Sequence, residues 1–150
     1  LKLLTKQFFF PMKSNYNFYF LSPFILFMLI SSMWMIYPFK TNLLNWNMNS
    51  LFLLCLMSMG VYGLMLTGWS SNSYYALLGS IRAIAQSISY EVTFSISLIL
   101  PLFLINSLNL HNMFMFQKNY FIFFIWPISL ILMMSMLAEL NRTPFDLTEG

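Results

Sequence analysis

Hydrophobic and polar positions fall into long blocks along this chain rather than into a short alternating period. Residues 14–39 carry no charged side chain, and neither do residues 41–81. Inside these blocks, apolar runs cover about 21–37 (bracketed by Pro23 and Pro38) and 51–68. A helix needs roughly 20 predominantly apolar residues to cross about 30 Å of hydrocarbon, so each run predicts a membrane span. Trp69-Ser70-Ser71-Asn72-Ser73 reads as a turn. A third span is expected over about 81–105, containing Arg82, Glu91 and Pro101, and a fourth over about 120–140, with Pro127 near its start. The pattern predicts an all-α fold, a polytopic transmembrane helix bundle with about four spans in a single membrane domain. Residues 1–13 differ, because Lys2, Lys6 and Lys13 punctuate Leu, Phe and Met. Two readings stand there: an amphipathic segment lying in the interface, or a disordered end.

Composition sharpens the class. Apolar residues make up 59% of the chain and charged residues 7%, with seven basic and four acidic side chains. A soluble domain carries about a quarter charged residues, so a soluble enzyme is excluded. Disorder is excluded by 17 Phe, 13 Met and 8 Tyr. A net charge of +3 is too thin for nucleic-acid binding. The single cysteine, Cys55, excludes a disulfide within the chain and reads as a small buried hydrophobe; the single histidine, His111, reads as a solvated loop residue in the polar stretch 106–119. One cysteine also leaves the chain without a thiolate metal cluster of its own, and with no Gly-x-Gly-x-x-Gly it is expected to bind no nucleotide or flavin; no metal site is expected. Any redox chemistry must come from partners. The first residue is Leu1 and the last Gly150, and the chain is expected to be a piece of a longer polypeptide, with no cleavable targeting segment.

Four spans place residues 1–19, 69–80 and 141–150 on one side. Lys2, Lys6, Lys13, Arg82 and Arg142 fall on or near it, against Lys40 and Lys118 on the other. The positive-inside rule therefore makes the first side the inner face. Glu139, Asp146 and Glu149 lie on the same side.

The third expected helix is polar on two sides. At 100° per residue Ser87, Glu91 and Ser95 form one stripe, and Arg82, Gln86, Ser89, Thr93 and Ser97 lie opposite. Such a helix is expected within a bundle or beside a wet cavity. Arg82 and Glu91 are about 13 Å apart along the axis and half a turn apart in angle, so they cannot pair directly. An ionised carboxylate at this depth costs several kcal/mol, and Glu91 is expected to take up and release protons. A structural ion pair with a basic residue of a larger assembly is the other reading. Gly60 and Gly63 are expected to allow close helix contact. After the fourth span, Thr143-Pro144-x-Asp146 has the layout of a helix start, with Thr as N-cap.

These stretches carry a resemblance. Trp69-Ser70-Ser71-Asn72-Ser73, Tyr75-Ala76-Leu77-Leu78-Gly79 and Arg82-Ala83-x-Ala85-Gln86-x-Ile88-Ser89-Tyr90-Glu91-Val92 resemble the central helix region of the chain 1 family of NADH–ubiquinone oxidoreductase, the membrane subunit at the heel of respiratory complex I. Ala138-Glu139-x-Asn141-Arg142-Thr143-Pro144-Phe145-Asp146-Leu147-x-Glu149-Gly150 resembles its large inner-face loop, and Lys2-Leu3-Leu4-Thr5-Lys6 its basic surface helix. The likeness covers the whole chain in order and spacing. It departs at Gln7, Tyr74, Leu140 and Thr148, where Glu, Asn, Thr and Ala are usual.

The resemblance implies a subunit of about eight spans, of which these are the second to fifth. It implies a place in the mitochondrial inner membrane, with the N-terminal segment and the 141–150 loop on the matrix side. The substrate would be ubiquinone, with FMN and iron–sulfur clusters in partner subunits; the partners would be the other membrane and quinone-site subunits, and lipids. Position by position, Glu91 and Glu139 match members of a buried acidic path for protons. Arg82, Arg142, Asp146 and Glu149 match residues of the quinone chamber and its coupling loop, and Lys2 and Lys6 match the surface helix at the quinone entrance. Two other functions remain open: a related membrane anchor of an energy-converting hydrogenase, and a purely structural scaffold.

Overall fold

The computed structural model describes residues 4–6, 10–37, 46–116 and 120–147. Lys2, Gln7, Lys40, Lys118 and Glu149, all weighed above, lie outside the described residues. Within them every regular element is helical. Helix α1 covers Tyr16–Met33 and runs into a 3₁₀ turn at Trp34–Ile36; α2 is Asn49–Ser70, α3 Tyr74–Ile105, α4 Leu110–Phe116, α5 Phe121–Phe124 and α6 Trp126–Glu139. The long helices pack in a row, α1 on α2, α2 on α3 and α3 on α6.

Tyr16–Ile36, α2 and α3 are long and apolar enough to cross a membrane, whereas α6 has 14 residues. The apolar run expected as one span over 120–140 is divided, because a helix continued from Phe123 would meet Pro127, which has no N–H to donate and whose ring strikes the carbonyl four residues back. Ile125 takes a non-helical ψ of 39°, and α6 starts afresh with the proline in its first turn. Helix α3 starts before the apolar run does, at Tyr74, with Ser73 extended at φ −116° and ψ 133°. At 32 residues it is about 48 Å long.

Much of the interior is built from small residues, beside Leu56, Phe94, Leu102 and Ile105. Ser22, Ser50, Ser97, Ser135, Ala83 and Ala138 are buried, while many Phe, Met, Leu and Trp side chains face outward. This suits a lipid surrounding: acyl chains are as apolar as Leu, so helices associate by close packing rather than by hiding apolar surface. Gly63 and Gly68 show the same economy of size. A Cβ at Gly63 would strike the Leu26 side chain of α1, and one at Gly68 would strike Ser80 of α3. Gly60, expected to share this role, has nothing within 4 Å of its Cβ position. Cys55, expected to be buried, is exposed on α2. His111 lies in α4 rather than a loop and is exposed.

Polar clasps close both ends of the row. At one end Asn15 N–H donates to Ser70 O (2.8 Å), and Asn72 Nδ2 donates to Lys13 O (2.9 Å). At the other, buried Asn49 donates through Nδ2 to Asn109 Oδ1 (2.8 Å) and accepts from Leu110 N–H (2.9 Å). Ser50 Oγ donates to Leu108 O at 2.6 Å. An apolar cleft of about 760 Å³ opens beside this second clasp, lined by Trp34, Leu53, His111 and Phe114 among others. It is far along the bundle from the acids described next.

The glycine contacts give a paired expectation. Gly63→Ala should lower stability by ~1–3 kcal/mol, and Leu26→Ala in the same chain should recover part of that loss. Gly60→Ala should be neutral or slightly stabilising, because alanine is the better helix former. Thermal unfolding of the detergent-solubilised variants checks both; equal effects at the two glycines would contradict the packing.

Candidate functional site

The chemistry-bearing residues converge where α6 ends against α3. Helix α6 stops at Glu139 because Asn141 turns into the left-handed region (φ 48°). Its N–H donates to Ala138 O, and the N–H of Arg142 donates to Leu137 O, both at 3.2 Å. This pair of reversed hydrogen bonds occupies carbonyls that the last turn leaves unsatisfied. The chain then folds back in turns through 147, and Phe145 N–H donates to Arg142 O at 2.7 Å. The Thr143-Pro144-x-Asp146 signature therefore does not start a helix within the described residues. Its peptide bond is cis, and the segment is a reversal held by α6 and α3.

Gln86 holds that reversal. It is 6% exposed on α3, and its Nε2 donates to both Ala138 O and Phe145 O at 2.9 Å. One amide group thus ties the end of α6 and the following turn to the same point of α3. One helical turn further on, the Tyr90 ring meets the Phe145 ring edge-on, with centroids 5.2 Å apart.

Glu91 on α3 and Glu139 at the end of α6 are the two acids of this junction. Both are half-buried, and Glu139 is desolvated while lying within range of the charge on Glu91. Three acceptor oxygens near the end of α6 and at Gln86 are buried without a hydrogen-bond partner among the described residues: Gln86 Oε1, Glu139 Oε2 and Asn141 Oδ1. Elsewhere on α3 the polar side chains are settled within the helix. Ser87, Ser89, Thr93, Ser95 and Ser97 each donate to the carbonyl three residues back at 2.7–3.0 Å.

The sequence-derived residues thus separate. Glu91 lies within electrostatic range of Glu139, and Asp146 sits half-buried in the adjoining turn. Arg82, Arg142 and Lys6 are exposed. Of the two polar stripes expected on α3, Gln86, Ser87 and Ser97 are buried, while Arg82, Ser89 and Thr93 face outward. The residues that sequence reasoning did not single out are Gln86 as the tether, Tyr90 and Phe145 as its apolar neighbours, and Asn141 as the helix stop. The signal for Gln86 was its place in the stripe of Arg82, Ser89, Thr93 and Ser97, where it is the one amide. For Asn141 it was an Asn directly after a periodic apolar run. Among the described residues no group of three His, Cys, Asp or Glu side chains is placed to hold a metal.

The left-handed stop gives a direct expectation. Asn141→Gly should preserve stability, whereas Asn141→Val should cost ~1–2 kcal/mol, since a β-branched residue is disfavoured at positive φ. Thermal unfolding that ranks the two variants together would contradict the assignment.

Comparison with known proteins gives the geometry its setting. A family model described as NADH dehydrogenase matches residues 1–150. A protein of Aedes aegypti named NADH-ubiquinone oxidoreductase chain 1 is 49% identical over 150 residues, covering 99% of this chain and 48% of the relative. Proteins of the same name from Anopheles gambiae (46% over 150 residues) and Notamacropus eugenii (40% over 151 residues) match 99% and 100% of this chain, and in each case 48% of the relative. The chain spans about half the length of these curated relatives. With the family matched from end to end and an apolar helical bundle to carry it, this membrane protein belongs to the NADH dehydrogenase family, among relatives named NADH-ubiquinone oxidoreductase chain 1.

Proposed function

We propose that the chain is part of the core membrane subunit of a proton-pumping NADH:ubiquinone oxidoreductase. In this reading it helps form the ubiquinone chamber and entrance, and it carries the start of a buried acidic path that couples quinone reduction to proton translocation. The complex sits in the mitochondrial inner membrane, with residues 1–13 and 141–150 on the matrix side. Ubiquinone is the substrate, and FMN and iron–sulfur clusters reside in partner subunits. Lys2, Lys6 and Glu149 keep their assigned places at the quinone entrance and the coupling loop, by resemblance alone.

The observation that carries this reading is that Glu91 and Glu139, from two different helices, lie within electrostatic range of each other, beside a turn bearing Asp146. A carboxyl that is partly desolvated and within range of a like charge has a protonation state that responds to any further charge arriving nearby. A quinone gains negative charge as it is reduced. Protonatable groups close to that charge compensate it by taking up protons, and a second acid one helix away offers the next site. A scaffold that needed only structural ion pairs would more naturally set a base opposite Glu91. Here the charge that acts on Glu139 is that of another acid.

Glu91→Gln and Glu139→Gln should each leave assembly largely intact. NADH oxidation with an artificial acceptor reduced at the flavin should stay normal, while quinone-linked turnover or proton translocation should fall by at least about tenfold. Normal turnover together with a normal proton yield in both variants would sink the acidic-path reading.

A further inference from the structure

We propose that Gln86 is a positioning residue whose side-chain amide, by holding the end of α6 and the following turn on α3, sets the separation of Glu91 and Glu139. The inference rests on the reading of those two acids as a proton path.

The geometry supports the assignment in three steps. First, Gln86 spends both amide hydrogens on backbone carbonyls of one segment, Ala138 O and Phe145 O at 2.9 Å each. These carbonyls sit on either side of Glu139 and the reversal after it, so the tether brackets the acid it positions. Second, the tether and Glu91 belong to the same continuous helix, α3. A helix fixes the offset between residues 86 and 91, so anchoring α6 at Gln86 fixes Glu139 relative to Glu91 as well. Third, the amide is 6% exposed, and the carbonyls it satisfies would lose a donor without it. Ser87 and Ser97, also buried on α3, bond only within their own helix and hold nothing on α6. The Tyr90–Phe145 ring contact holds the outer part of the turn but reaches no polar atom of α6.

A tether of this kind differs from ordinary packing glue in what it controls. Proton transfer between two carboxyls is steeply sensitive to their separation and alignment, and an ångström of displacement can cost as much as 100-fold. Gln86 need not touch a proton or the quinone to matter; it acts through Glu139.

The test uses the full-length subunit in the assembled complex. Gln86→Met keeps the volume and removes both donors, and Gln86→Asn keeps the amide but shortens its reach by one methylene. Each should retain flavin-site activity with an artificial acceptor and an unchanged quinone KM, with quinone-linked kcat or proton yield lowered roughly tenfold. In a background of Glu139→Gln, Gln86→Met should cause little further loss, because a residue that acts through Glu139 has nothing left to position; a purely structural contribution would add in full. Full activity in Gln86→Met, additivity with Glu139→Gln, or failure of both Gln86 variants to assemble would each overturn the proposal. If Glu91→Gln impairs proton yield while Gln86→Met does not, the positioning role alone fails. If Glu91→Gln and Glu139→Gln are both without effect, the acidic-path reading fails instead.

Discussion

In hydrocarbon a polar group has no water to bond, so each one must find its partner within the protein. That constraint explains most of what holds this chain together. Backbone groups are settled by helix, and hydroxyls by the carbonyl three residues back, from Ser22 in α1 to Ser135 in α6. Where the long helices stop, Asn72, Asn106 and Asn141 enter the left-handed conformation with φ of 48–55°. At α3 and α6 the same two reversed hydrogen bonds then close the last turn. Glycine is the usual residue for this task, but Asn tolerates the conformation, and here it takes all three positions. The clasp of Asn49 with Asn109 applies the same rule to side chains.

Against that background the junction of α3 with α6 stands out. Gln86, Glu139 and Asn141 each present a buried oxygen with no partner among the described residues. Among the described residues Ser107 Oγ, just past the end of α3, is the fourth such atom, so three of the four gather where α6 ends. Unsatisfied buried polar atoms are costly and uncommon, and they concentrate where function demands them. Acceptors gathered around a carboxyl also bear on its protonation. The protonated acid brings a donor into the group, whereas the carboxylate adds only one more acceptor.

The coarse architecture was legible because the bilayer constrains it strongly. Runs without charge and of sufficient length had to become helices, and α1, α2 and α3 lie where those runs lie. What the pattern could not supply was anything that depends on a neighbour. Gly60 and Gly63 look alike in sequence, yet only Gly63 faces Leu26. Thr143-Pro144-x-Asp146 has the local chemistry of a helix start, but the turn begun at Asn141 and the tether from Gln86 commit the segment to folding back. Glu91 was identifiable as an acid out of place; that Glu139 lies within range of it emerges only from the packing of α3 on α6. The division of the fourth run at Ile125 was readable in principle, since Pro127 forbids continuation from Phe123.

Helix length locates the acids. At about 48 Å, α3 exceeds the roughly 30 Å of a hydrocarbon core, so part of it stands outside or the helix tilts. With the apolar end at Ile105 taken as one boundary, about twenty residues bring the other boundary back to the neighbourhood of Gln86. Tyr74, Tyr75, Leu77 and Leu78, all exposed, then belong to the interface and beyond. Glu91 lies little more than one turn inside. The pair with Glu139 is therefore shallow rather than central, just beneath the face where the 141–147 turn lies. An acid at the bilayer centre would be isolated from a reaction at the surface. One turn below the surface, it lies close enough to feel a charge arriving there, a position that suits the first member of the proposed relay better than a later one.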